Sequence, residues 1–174
     1  MKLIAELIHP SLPSDAWTRP DLSLRRAARG IVIDQRRILL LYTERYDDFS
    51  LPGGGVDAGE SLEQGLSREM AEEVGAHALE IVAPFGRVDE LRPQWSDPDR
   101  LLYMQSYLFR CALRAPLKPP RMEHYETANG MRVEWVEIDD AIAHNAAVVR
   151  QAGPKMGLSV QRELLCLQRI RETL

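Results

Sequence analysis

Residues 54–76 read GGVDAGESLEQGLSREMAEEVGA, and this stretch decides how the rest of the chain is read. Ser61 followed three residues later by Gln64 has the pattern of a helix N-terminal capping box. Leu62, Leu66, Met70 and Val74 recur at steps of four and form one apolar stripe. Gly75 supplies a C-terminal stop. The spacing predicts a helix over 61–74. On it, Glu69, Glu72 and Glu73 fall within an arc of about 100°. Like charges one turn apart repel by about a few tenths of a kcal/mol. These three also lie in the second half of the helix, where the macrodipole disfavours anions. A bound hard divalent cation offsets both costs, and carboxylate oxygens are the donors that Mg²⁺ or Mn²⁺ takes. Three glutamates alone also describe a solvated acidic face. Their neighbours favour the metal. Arg68 stands four residues before Glu72 and can pair with it, and Glu60 precedes the helix near its positive end. Directly upstream, Leu51-Pro52-Gly53-Gly54-Gly55 makes a loop whose backbone can approach another group closely.

Working outward, residues 28–33 and 37–42 read as two strands joined by a turn at 34–36. Residues 79–88 and 101–113 read as strands, with a polar loop at 89–100 between them. Residues 114–130, with Pro116, Pro119 and Pro120, read as irregular. A last strand is expected at 132–138, and helices at 139–149 and 159–174. Residues 1–22, with Pro10, Pro13 and Pro20, read as a short element followed by an irregular arm. Strands with interspersed helices and no long linker indicate a single mixed α/β domain over 1–174. The C-terminal helix, with Leu164, Leu165, Leu167 and Ile170, reads as core, with a homodimer face as the alternative.

The segment resembles the Nudix box, Gly-x5-Glu-x7-Arg-Glu-U-x-Glu-Glu-x-Gly-U, with U a bulky aliphatic. Gly54, Glu60, Arg68, Glu69, Glu72, Glu73 and Gly75 occupy its fixed positions at the family's spacing, and Met70 and Ala76 its U positions. Ala76 is smaller than usual. The box covers residues 54–76, and the strands and glycine loop upstream also look like this family. The resemblance implies a Nudix-like α/β/α sandwich with a mixed central sheet and a catalytic loop-helix. It further implies divalent-metal-dependent hydrolysis of a diphosphate linkage in a nucleoside diphosphate linked to another group X. By position, Glu72 and Glu73 are the main ligands to Mg²⁺ or Mn²⁺, with the carbonyl of Gly53 as a backbone ligand. Glu69 is a further ligand or the general base. Arg68 orients a box carboxylate, while Gly54, Glu60 and Gly75 support the loop-helix geometry. Members of the family often add an acidic residue from outside the box. Glu123 and Glu126 are the candidates, and Glu126 is preferred because it is closer to the final strand. A non-catalytic nucleotide-sensing domain is the alternative, which the intact carboxylate set argues against.

Substrate choice lies outside the box. Trp95, Tyr46 and Phe49 are candidates for stacking on a nucleobase, each with packing under its own loop as the alternative. Arg29, with Arg26 and Arg45, is a candidate for contacting terminal phosphates. Pro93 sits near, but off, the position that marks family members acting on ADP-ribose. The expected partner is a small-molecule nucleotide of unassigned class. The 174 residues hold 22 Lys+Arg against 26 Asp+Glu, a net charge of -4, which argues against sequence-independent binding of bulk nucleic acid. The longest apolar run is residues 38–42, far short of a membrane span. Glu6 and His9 interrupt the apolar start of the chain, so a cytoplasmic protein is expected. Cys111 and Cys166 make neither a disulfide framework nor a zinc site and read as small buried hydrophobes.

Overall fold

Ile38, Leu39, Leu40 and Leu41 are each 0–1% exposed, so this strand is covered on both faces. Successive side chains on a strand point to opposite sides. Ile38 and Leu40 accordingly join one apolar cluster, and Leu39 and Leu41 join another. Burying each such side chain stabilises the fold by about 1.5–3 kcal/mol. The computed structural model describes residues 1–94, 96–97, 99–151 and 157–174. Its strands are β1 (Leu3–Ile8), β2 (Ser23–Asp34), β3 (Arg37–Thr43), β4 (Asp48–Ser50), β5 (Leu79–Pro93), β6 (Leu101–Leu113) and β7 (Met131–Glu137). Its helices are α1 (Leu62–Glu73), α2 (His124–Ala128), α3 (Ile138–Gln151) and α4 (Leu158–Arg171). The strand order is β1-β5-β6-β2-β3-β4, with β7 added on β3. β1 with β5 and β2 with β6 pair in parallel, and the other pairs are antiparallel. α1 supplies Leu66 and Met70, and Val74 at its C-terminal cap joins them, in the cluster on one face. α3 and α4 supply Ile138, Ala141, Cys166, Leu167 and Ile170 to the other. This is the expected α/β/α arrangement with a mixed sheet.

The helix at the box forms as its sequence dictates. Ser61 Oγ accepts from Gln64 N at 3.2 Å, and Gln64 Oε1 accepts from Ser61 N at 2.8 Å, closing the capping box. Gly75 has φ +73, and a Cβ there would stand 1.8 Å from the Lys118 carbonyl oxygen, so only glycine ends the helix this way. Leu66, Met70 and Val74 are 0–1% exposed, which places the apolar stripe against the sheet.

Several expectations need correction. One holds: the short element expected at the start of residues 1–22 is β1, which lies parallel to β5 with Ala5 opposite Val88 and Leu7 opposite Glu90. Beyond it a short 3-10 turn, Ala16–Thr18, buries Ala16 beside Leu91 and Leu101. The polar loop starts later than expected, because β5 continues through Asp89 and Glu90 to Pro93. Both acids are 2% exposed and paired with arginines, so their charge does not bring them to the surface. The irregular stretch at 114–130 contains α2. α4 gives Leu167 and Ile170 to the protomer's own core, as the first reading of that helix had it. Both cysteines are free and buried. Among the described residues, no helix is long and apolar enough to cross a membrane.

Candidate active site

Residues 52–56 lie alongside β2. Gly30 N donates to Pro52 O at 2.9 Å, Ala28 N to Gly54 O at 2.9 Å, and Val56 N to Arg26 O at 3.0 Å. This pairing needs a glycine at 53. Its φ is +119, and a Cβ there would stand 2.2 Å from the Ala28 carbonyl oxygen. The turn aims the Gly53 N–H at the helix, where it donates to Glu73 Oε2 at 2.6 Å. The loop and the last turn of α1 are thereby joined. Helix and sheet also approach closely: a Cβ at Gly30 would stand 2.8 Å from Met70 Sδ.

Arg68 is the hub of the box. It donates to Glu60 at 2.9 and 3.1 Å, to Glu69 Oε1 at 2.7 Å, to the Gly55 carbonyl at 2.9 Å and to Glu72 Oε2 at 3.4 Å. The Glu60 carboxylate, followed by Glu69, holds the guanidinium well above its ordinary pKa. Glu60 in turn accepts from Asp57 N at 2.9 Å. One guanidinium therefore ties the loop, the helix start and two box carboxylates into a unit.

Glu73 is 6% exposed and Glu126, on α2, is 4% exposed. Burial pushes the Glu73 carboxyl up to about 8; Arg29 and the Gly53 N–H oppose this, and the charges of Glu69 and Glu126 add to it. Burial also raises Glu69, against the pull of Arg68. Glu126 accepts from Glu123 N at 2.6 Å and from the Tyr125 hydroxyl at 3.1 Å. Of the two acidic candidates outside the box, Glu126 is the buried one that acts on Glu73, whereas Glu123 stands at the N-terminus of α2. Among the described residues, no three His, Cys, Asp or Glu side chains stand gathered as a ready metal cage. In this arrangement the carboxylates engage Arg68 and the Gly53 N–H instead. The donor chemistry nevertheless fits a hard divalent cation. Glu69, Glu72, Glu73 and Glu126 offer only oxygen, and burial raises the carboxyls of Glu69 and Glu73 despite the nearby guanidinium groups of Arg68 and Arg29.

The remaining candidates are placed differently. Arg29 donates to the carbonyls of Leu51 and Gly53 and acts electrostatically on Glu69 and Glu73. It braces the loop from behind rather than reaching for a terminal phosphate, and it engages the carbonyl proposed as a backbone ligand. Phe49 is a core residue and not a stacking surface. It is 9% exposed, with its ring 5.1 Å from that of Tyr42 and 5.2 Å from that of His144. Tyr46 is 55% exposed on the turn between β3 and β4, under the guanidinium of Arg45. Trp95 lies outside the described residues.

Three further features escaped the sequence. Glu163 of α4, 1% exposed, accepts from Leu51 N at 3.0 Å at the entrance to the glycine loop. Its other oxygen binds Arg162 at 2.8 Å, and Arg162 reaches Glu90 at 2.9 Å. Asn145 of α3 holds Phe49 through both its backbone groups, at 2.9 and 2.7 Å. No local pattern signals these long-range bonds. Tyr103, Gln105 and Tyr107 on β6 were findable, because their alternation puts three polar side chains on one face.

The chain is similar to known proteins in both sequence and fold. An RNA pyrophosphohydrolase of a Nitratiruptor species is 40% identical over 53 residues, 30% of each chain. One of Wolbachia pipientis subsp. Culex pipiens is 41% identical over 61 residues, 33% of this chain and 38% of that one. The chain thus matches these two curated relatives over 30–38% of their length. Among solved structures, a MutT protein from Methanosarcina mazei Go1 has TM-score 0.57 and 16% identity, covering 89% of this chain and 99% of that one. A NUDIX hydrolase from Nitrosomonas europaea has TM-score 0.56 and 18% identity, covering 87% and 90%. These two likenesses show the fold. The family model for the NUDIX domain matches residues 23–155, which include the glycine loop, all of α1 and Glu126, and the chain therefore belongs to the Nudix family.

Proposed function

We propose that the protein is a divalent-metal-dependent pyrophosphohydrolase that cleaves a diphosphate linkage in a nucleoside diphosphate linked to another group X. The observation that carries this reading is the position of Glu73. It is a buried carboxylate joined to the glycine loop by the Gly53 N–H, with the charges of Glu69 and Glu126 acting on it and Arg68 holding Glu69 and Glu72. Glu72, Glu73 and Glu69 would hold Mg²⁺ or Mn²⁺. When bound, such an ion neutralises diphosphate oxygens and lowers the pKa of a coordinated water. The residues do the rest. Glu69 or Glu126 accepts the proton of the attacking water. Arg68 keeps Glu69 and Glu72 in place, and Arg29 holds the loop carbonyls.

The curated relatives named above act on RNA by name, so an RNA with a terminal diphosphate linkage belongs among the substrates to be tried. A hydrolysis screen with Mg²⁺ or Mn²⁺ tests the proposal. The panel holds nucleoside triphosphates, nucleotide sugars, ADP-ribose, dinucleoside polyphosphates and such an RNA, with Glu73→Gln as the control. Turnover that is absent from the control supports the reading. Turnover that Glu73→Gln retains in full removes Glu73 from the reaction. Binding without turnover of any of them favours a sensing domain instead.

A further inference from the structure

The stretch between β6 and α2 is laced to the end of the box helix. Lys118 N donates to Gly75 O at 3.0 Å and Arg121 N to Glu72 O at 2.6 Å, so two carbonyls at and just past the end of α1 find their donors there. Leu117 and Met122 pack against the same apolar cluster as Val74. On the other side of α2, Arg45 N donates to Asn129 O at 3.1 Å, and Arg45 Nη1 to Asn129 Oδ1 at 3.0 Å. The short helix is therefore held from both ends, by the end of α1 and by the chain after β3. It carries Glu126 to the box, where the charge of this residue acts on Glu73.

Glu126 is 4% exposed and has a donor on each oxygen. Oε2 takes the Glu123 N–H at 2.6 Å, which is the capping bond of α2, and Oε1 takes the Tyr125 hydroxyl at 3.1 Å. The first bond belongs to the helix and would form wherever α2 lay. The second has no part in the helix. A carboxylate only accepts, and a tyrosine has one proton to give, so the hydroxyl must be the donor. Burial, and then the negative charges of Glu126, Glu123 and Glu73, raise the pKa of Tyr125, so that proton stays in place. Tyr125 is 58% exposed, and core packing does not account for it. A carboxylate has about four lone-pair sites, so each oxygen of Glu126 keeps one beyond these two bonds.

We infer that Tyr125 is a positioning residue: its hydroxyl fixes the direction in which Glu126 presents its free lone pairs to the box, and so sets how well Glu126 serves a divalent cation or the water beside it. That a cation is held there rests on the hydrolase reading above. Donors to a carboxylate that serves a metal typically carry about 10–100-fold in metal affinity or activity.

The test is a double-mutant cycle of Tyr125→Phe and Glu126→Gln in the full chain. Two quantities are read. One is the affinity for Mn²⁺ alone, from the electron paramagnetic resonance signal of the free ion. The other is kcat on whichever diphosphate the hydrolysis screen turns over. Phenylalanine keeps the exposed ring, and glutamine keeps an acceptor for the Glu123 N–H, so both variants are expected to melt with the unaltered protein. Glu126→Gln lowers Mn²⁺ affinity, kcat or both. Tyr125→Phe is expected to lower the same quantity by about tenfold, and to add nothing once residue 126 is glutamine. A tyrosine that worked through the fold, or by touching the ligand itself, would add its own loss in the double variant. The inference is overturned if either single variant leaves both quantities unchanged, if the losses add, or if the melting temperature of Tyr125→Phe falls along with them. Mn²⁺ affinities that follow the cycle without turnover of any diphosphate would sink the hydrolase reading and leave this one standing; turnover with additive or absent losses would do the reverse.

Discussion

Glu163 Oε2 accepts the backbone N–H of Leu51 at 3.0 Å, a bond spanning 112 residues that fastens the last helix to the start of the glycine loop. Glu163 is 1% exposed and also carries Arg162, which is 9% exposed. Glu163→Ala leaves a buried guanidinium short of a partner and a buried amide without an acceptor. It is expected to cost about 3–5 kcal/mol of stability, read by chemical denaturation. A change below about 1 kcal/mol would mean that the network is not held as described.

Glu73→Gln removes the charge of the most buried box carboxylate and almost no volume. Hydrolysis is expected to fall by about a hundredfold or more, with the melting temperature unchanged or raised. A fall in melting temperature matching the loss of activity would point to a structural role instead.

Glu69→Gln separates two roles for one residue. Its carboxylate is bound by Arg68 at 2.7 Å. If Glu69 takes the proton, kcat falls while the metal concentration giving half-maximal rate stays put. If Glu69 is a ligand, that concentration rises.

Gly53→Ala and Gly54→Ala are expected to fail in different ways. At Gly53 the φ of +119 and the 2.2 Å approach of a Cβ to the Ala28 carbonyl oxygen set new atoms against backbone, so the variant is destabilised by about 2 kcal/mol or more. At Gly54 the added carbon meets the Glu69 carboxylate at 2.6 Å, a side chain that can move. Gly54→Ala should therefore keep most of its stability and lose turnover. Melting curves and kcat, measured together, check the contrast.

Asp48 is 5% exposed, and burial next to Glu163 pushes its carboxyl up to about 6, against Arg162 and His144. Its folded pKa lies above the unfolded value, so its protonated form supports the fold at low pH and that support is lost as pH rises through about 6. Asp48→Asn is expected to be more stable than the unaltered chain at pH 8 by about 2 kcal/mol, with the gap closing toward pH 4. Denaturant midpoints at the two pH values give the answer, and a constant gap would remove Asp48 as its source.

The box helix was legible because everything that makes it is local. Ser61 meets Gln64, the stripe repeats every four residues, and Gly75 stops it. The shared helix of the box carboxylates was legible for the same reason, since α1 carries Glu69, Glu72 and Glu73. Phe49 and Arg29 were not. Whether a ring before the glycine loop stacks on a ligand or enters the core is decided by His144 and Asn145, far along the chain. Whether an arginine reaches solvent or braces a loop is decided by carbonyls on another element. Asp89 and Glu90 read as loop residues because charge ordinarily means surface, and the arginines that hold them buried come from a neighbouring residue and a distant helix.

The bonds of Arg68 span at most 13 residues, whereas the bond from Glu163 to Leu51 spans 112. Contacts close in sequence form early and at small loop-closure cost, while distant ones wait for the rest of the chain. The hub around Arg68 can therefore assemble before the glycine loop it serves is anchored. During synthesis α4 is made after every element it braces, so a chain halted short of residue 163 can carry a complete box and still lack the acceptor for Leu51. Hydrolytic competence would then report on completed folding, arriving with the last helix to dock.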